Sequence, residues 1–186
     1  MQILLTQQSL RPWQVKAAEI LSNHDYQLLG AQPGCGKTIT TLTAIAAKHD
    51  RTLLVAPAVI LDTVWAQEAA AWSHTCHLIF DMAHRHSGAE RARLWFDGRA
   101  DVVTCTPDTL VRLLQEVHRR ERLPVTRMVV DESQFFKNPT AARTMALHVL
   151  AEHVPTWLLS GTPTPNGLLD CWSPGWVLSR GGRFWQ

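Results

Sequence analysis

Between Ala31 and Thr38 the chain reads AQPGCGKT, a glycine-rich turn that closes on Gly-Lys-Thr. An apolar run ending Leu28-Leu29-Gly30 precedes it, and a stretch rich in Thr and Ala, residues 39–48, follows. That is the strand–loop–helix setting in which such a turn cradles phosphate. Gly34 and Gly36 let successive backbone N–H groups swing toward one anion, and the next helix adds the positive end of its dipole. Gln32, Pro33 and Cys35 complete the loop, whose first position is Ala31 where the pattern has glycine. In this pattern Lys37 reaches the β- and γ-phosphates of a nucleotide and the Thr38 hydroxyl sits on Mg²⁺. Thr40, in the next turn, is grouped with them.

Such a loop demands a sheet to carry it, and the sequence alternates accordingly. Residues 52–56 (TLLVA) read as a buried strand stopped by Pro57, and residues 101–105 (DVVTC) as another, leading into Thr106-Pro107. A short strand is expected at 76–80, one at 128–130 running into Asp131-Glu132, and one at 156–159 running into Ser160-Gly161-Thr162. Helices are expected between them. Residues 10–21 carry Pro12 near the start and Trp13, Ala17, Ile20 and Leu21 at helical spacing. Leu61, Trp65, Ala69 and Trp72 recur on one helical face, and residues 88–96, 107–117 and 140–150 follow suit. This alternation predicts an α/β fold with a mainly parallel sheet covered on both faces. Ligands then gather at the carboxyl ends of the strands, where every polar motif falls.

Composition narrows the setting. With 186 residues, 46% apolar and 18% charged, the chain is long enough for one domain with a real core. A net charge of +2 permits nucleic-acid binding without arguing for it. The four cysteines form no CxxC pair and one lies in the phosphate loop, which favours a reduced, cytoplasmic setting. No signal peptide and no membrane-spanning apolar run is evident.

Asp131 and Glu132 follow an apolar strand directly. Downstream of a phosphate loop, the first acid helps hold Mg²⁺ and the second can orient and deprotonate a water. VVDESQFFKNP (129–139) followed by LSGTPTPN (159–166) resembles the signature pair of superfamily-two helicases of the Swi/Snf type, including compact bacteriophage versions. LRPWQ (10–14) resembles that family's adenine-reading element, which places its glutamine at Gln14. The stretch 53–72, with Trp65 and Glu68, resembles motif Ia, and VVTCTPDTL (102–110) resembles motif Ib.

The resemblance implies a RecA-like lobe that binds ATP and Mg²⁺ and works on DNA, taken as duplex and read without sequence preference. It implies that Lys37, Asp131 and Glu132 are catalytic, that Thr38 and Asp131 hold the metal, and that Gln134, Ser160, Gly161 and Thr162 couple nucleotide to nucleic acid. Pro57, Thr106 and Pro107 would lie near the DNA backbone. Ser133-Gln134 stands where the family often has Ala-His, and Gln134 can still hydrogen-bond.

Residues 1–172 are expected to form the ATP-binding lobe and 173–186 a Gly/Trp-rich tail. The chain ends at Gln186, soon after Asn166, so a second lobe with its arginine finger is expected from another chain, with slow hydrolysis at best without it. The alternative is a non-enzymatic ATP- or DNA-binding or regulatory module, or one half of a split helicase. His74, Cys76, His77, His84 and His86 match no recurrent zinc spacing and are expected as loop residues. Trp65, Trp72 and Trp157 are expected in the core, while Trp172, Trp176 and Trp185 crowd the tail, where exposure would mark a docking surface.

Overall fold

Six short parallel strands lie in the order β1-β6-β5-β2-β4-β3: Gln27–Gly30, Thr156–Ser160, Arg127–Val130, Thr52–Val55, Val102–Cys105 and Phe80–Asp81. The computed structural model describes residues 5–161 and 172–180. Because every strand runs the same way, the motifs that follow β1, β2, β4, β5 and β6 all emerge at one edge. Helices cover both faces, giving three layers.

The alternation of side chains along each strand divides the core in two. Leu54, Val129, Trp157 and Leu159 face α1 (Pro12–Asn23), α2 (Lys37–Lys48) and a long helix along residues 58–71. That helix comprises α3 (Ala58–Ile60), a π-helical segment (Leu61–Trp65) and α4 (Ala66–Ala71). Leu53, Val55, Met128, Val130 and Leu158 face α5 (Gly88–Asp97), α6 (Leu110–Arg120), α7 (Ala142–His153) and α8 (Trp172–Leu178).

The strand expected at 76–80 is the main difference. Thr75 and Cys76 are used up in a turn that closes α4: Thr75 Oγ1 donates to Ala69 O (2.9 Å) and Cys76 N to Trp72 O (2.9 Å). Pairing therefore begins only at Phe80, as a two-residue edge strand beside β4.

At the amino ends of the strands Arg127 is almost wholly buried. It donates to Asp50 (2.9 Å) and lies 4.2 Å from the Trp157 ring centroid. Arg51 donates to the carbonyls of Leu94 (2.8 Å), Trp95 (2.6 Å) and Pro124, two of which are C-terminal carbonyls of α5 left without helical partners. These contacts knit the edge of the sheet away from the motifs.

α8 begins where the tail was expected, and its Ser173, Pro174, Gly175 and Val177 are buried. Trp176 stacks on His148 (4.1 Å, 20°) and Trp172 tilts against the same ring (5.3 Å), so both are partly buried rather than free; Trp185 lies outside the described residues. Burial pulls the His148 pKa down from 6.5 to about 4. The folded state thus holds a neutral imidazole that the unfolded chain protonates below 6.5. Stability is full above pH 6.5, falls between 6.5 and 4, and levels off below. From this group alone, urea melts should lose about 2 kcal/mol between pH 7 and pH 5. In His148→Gln that part of the slope should vanish.

Candidate active site

Lys37, Thr38, Asp131 and Glu132 line one open pocket of about 380 Å³ together with Pro33, Gly34, Gly36, Ile60, Val64 and Glu68. The pocket forms where β1 and β5 end beside each other's motifs, β6 lying between them. Gly34 (φ +78°) and Gly36 (φ +85°) adopt the left-handed conformation that turns the loop into α2. A Cβ at Gly36 would collide with the Gln14 amide nitrogen.

The loop is held from several sides. Lys37 Nζ donates to Ala31 O (2.7 Å) and Gln32 O (3.3 Å), spanning the turn. Ala31 N donates to Ser160 O (3.2 Å), and the Cα of Gly161 faces Pro33 closely enough that an added Cβ would lie 3.2 Å from its ring. Gln14 is buried; its Nε2 donates to Cys35 O (3.3 Å), and its Oε1 accepts from Arg11 N (2.7 Å). One end of that amide caps the start of α1 and the other fastens α1 to the phosphate loop.

Thr40 is not on the pocket wall. It is fully buried, and its hydroxyl donates back to Gly36 O (2.9 Å), supporting the loop from beneath.

Asp131 is nearly buried and both carboxylate oxygens are held. Oδ1 accepts from Glu132 N (2.9 Å) and Oδ2 from the indole N–H of Trp65 (3.1 Å). Burial pushes this carboxyl above the ordinary aspartate range, against the two N–H bonds. Glu132 takes a left-handed backbone (φ +52°), rare for a residue with a side chain and a form of strain that collects at functional sites. Gln134 Nε2 donates to Glu132 Oε2 (2.5 Å), and its Oε1 accepts from Ser160 Oγ (3.3 Å). A single amide thus joins the acid pair to the end of β6. Thr162 lies outside the described residues.

The residues expected near DNA sit at the same edge, Pro57 after β2 beside β5 and Thr106 and Pro107 after β4, one strand further. Pro57 caps α3, its carbonyl accepting from Ile60 N (3.0 Å) and Leu61 N (3.1 Å). Thr106 caps the turn before α6 through Thr109 (3.0 Å between hydroxyls). Pro107 opens that turn and is buried. Two of the histidines find protein partners: His74 Nε2 lies 2.9 Å from Thr43 Oγ1, and His84 bridges Thr104 Oγ1 (2.8 Å) and Asp62 Oδ1 (3.0 Å).

Two residues of the site, Trp65 and Glu68, were placed in motif Ia without a role at the pocket. Trp65 reads as core by its helical spacing, yet its N–H reaches Asp131; the available signal was that a buried indole N–H needs an acceptor. Glu68, one turn further, lines the pocket while accepting from Trp72 Nε1 (3.2 Å).

Comparison with known proteins agrees with this geometry. Residues 13–174 match the SNF2-related domain. Protein p41 of Acyrthosiphon pisum secondary endosymbiont phage 1 is 31% identical over 93% of this chain and 40% of its own length. The transcription regulatory protein SNF2 of Saccharomyces cerevisiae is 25% identical over 89% of this chain and 10% of its own. The chain thus spans less than half of these relatives. Among solved structures, the Sulfolobus solfataricus SWI2/SNF2 ATPase core in complex with dsDNA superposes with a TM-score of 0.70 at 22% identity, covering 93% of this chain and 36% of that one. The chain belongs to the SNF2-related domain family and carries a helicase-like Swi/Snf lobe with the RecA-like fold.

Proposed function

We propose that this chain binds Mg·ATP in the pocket at the carboxyl edge of the sheet and hydrolyses it as the first lobe of a translocase acting on duplex DNA. The observation that carries the reading is the convergence of Lys37, Thr38, Asp131 and Glu132 on one pocket beside a left-handed glycine loop. The donor set suits the metal: a hydroxyl and a carboxylate are the hard oxygen ligands that Mg²⁺ takes, and among the described residues neither a thiol nor an imidazole lines the pocket. When bound, Mg²⁺ supplies charge neutralisation between the terminal phosphates.

The chain's own residues do the rest. The loop N–H groups and the α2 N-terminus receive phosphate oxygens, and Lys37 turns its ammonium from the loop carbonyls to the β- and γ-phosphates. Thr38 and Asp131 hold the metal. Glu132, oriented by Gln134, accepts a proton from the attacking water, and the link from Gln134 to Ser160 passes the state of that carboxylate to β6. Among the described residues no arginine lines the pocket, and on this reading a second lobe supplies the arginine that meets the transferred phosphoryl. That same observation favours the second reading, a binding module without turnover.

Titration calorimetry with Mg·ATP tests the reading. Lys37→Ala should weaken binding about tenfold or more, the worth of a charge-assisted bond. Equal affinity in the variant and the parent would sink it. Turnover measured with and without duplex DNA then separates enzyme from module.

A further inference from the structure

Trp65 has two faces of argument. Its ring is fully buried in the core between the helix of residues 58–71 and the sheet, and its single polar atom is spent on Asp131 Oδ2 at 3.1 Å. A buried indole can satisfy its N–H with any carbonyl; here it takes the carboxylate of the residue that the preceding section assigns to the metal. Since Glu132 N holds the other oxygen at 2.9 Å, the carboxylate is gripped at both ends. Each oxygen keeps a lone pair for the pocket side, where Lys37, Thr38 and Glu132 lie.

The helix that carries Trp65 is itself anchored. It widens to π geometry over Leu61–Trp65, a local distortion often found where a side chain must be re-aimed. Asp62, in the same segment, lies 3.0 Å from His84 Nε2 and accepts from Arg85 Nε at 2.6 Å, and His84 reaches Thr104 of β4. The segment is therefore tied to β4 through Asp62 and His84, and to the end of β5 by Trp65. The hydrophobic spacing explains the ring's burial; it does not explain why the helix unwinds at the point where the indole nitrogen meets Asp131.

We infer that Trp65 is a positioning residue for the metal carboxylate: its indole N–H fixes the Asp131 side chain in the orientation that receives Mg²⁺ with the nucleotide. The inference rests on the assignment of Asp131 to the metal. It predicts an effect confined to the metal-dependent part of nucleotide binding, since the phosphate loop is built by other residues.

The experiment compares ATP affinity in Mg²⁺ and in EDTA, by calorimetry, for the parent chain, Trp65→Phe and a variant carrying the benzothiophene analogue of tryptophan at position 65. The analogue keeps the shape of the ring and removes the N–H, so it answers for Trp65→Phe if the smaller ring unfolds the protein. Thermal melts accompany each protein. The expected result is an unchanged affinity in EDTA and a gain on adding Mg²⁺ reduced about tenfold, the worth of one charge-assisted hydrogen bond. A folded analogue variant that keeps the full Mg²⁺ gain overturns the inference, as does one that loses affinity equally with and without the metal. A parent chain with no Mg²⁺ gain would instead overturn the assignment of Asp131 on which the inference stands.

Discussion

Glu132→Gln should abolish hydrolysis while leaving Mg·ATP bound. A glutamine at this position keeps the length of the side chain and can still accept from Gln134 Nε2, so the bond seen at 2.5 Å survives and the acid pair keeps its shape. What disappears is the ability to take a proton from water. General-base assistance contributes about 10²- to 10⁴-fold, and the loss should lie in that range. Single-turnover hydrolysis, with the protein in excess over labelled ATP and duplex DNA present, reads it even when the rate of the parent is small. Calorimetry on the same variant should give an affinity within about twofold of the parent, because uniform binding is untouched. Turnover that survives in Glu132→Gln would remove Glu132 from the mechanism and leave Asp131 as metal ligand only.

Much of this site was legible in the chain because a parallel sheet brings loops that are far apart in sequence to one edge. Once the strands at 52, 102, 127 and 156 are placed, Pro57, Thr106, Asp131 and Ser160 must share a rim. Side-chain direction at that rim is another matter. Thr40 sits in a motif of phosphate-binding residues, but a short hydroxyl side chain inside a helix can bond its own preceding turn, and it does so. Pro107 likewise marks a turn and is buried. Trp65 lies in the core, as its spacing implies, but apolar periodicity reports which face of a helix is buried and is silent about the one polar atom on that face. Gln134 lies between these cases. Its capacity to hydrogen-bond was plain from its type, whereas its position between Glu132 and Ser160 depends on the left-handed turn at Glu132, which nothing in the residue sequence announces. The two-residue strand at Phe80 was misjudged because the preceding turn consumed the residues that looked strand-like.

Gly36→Ala should damage both folding and nucleotide binding, and the damage should divide into two separable parts. The first is conformational. Gly36 stands at φ +85°, ψ 34°, where a Cβ costs about 1–2 kcal/mol for most residues. The second is a collision, because the added methyl would meet the Gln14 amide that fastens α1 to the loop at Cys35 O. Displacing that amide breaks its bond from Nε2 to Cys35 O, adding about 1–3 kcal/mol. Urea melts should therefore place Gly36→Ala about 2–5 kcal/mol below the parent, and Mg·ATP affinity should fall by more than tenfold as the N–H groups of the loop lose their common aim. The double-mutant cycle with Gln14→Ala tells the parts apart. In that background the collision is already gone, so Gly36→Ala should cost only the conformational part, and the two changes together should cost less than their sum. Strict additivity would show that the amide moves aside freely and that the glycine is required for its backbone alone.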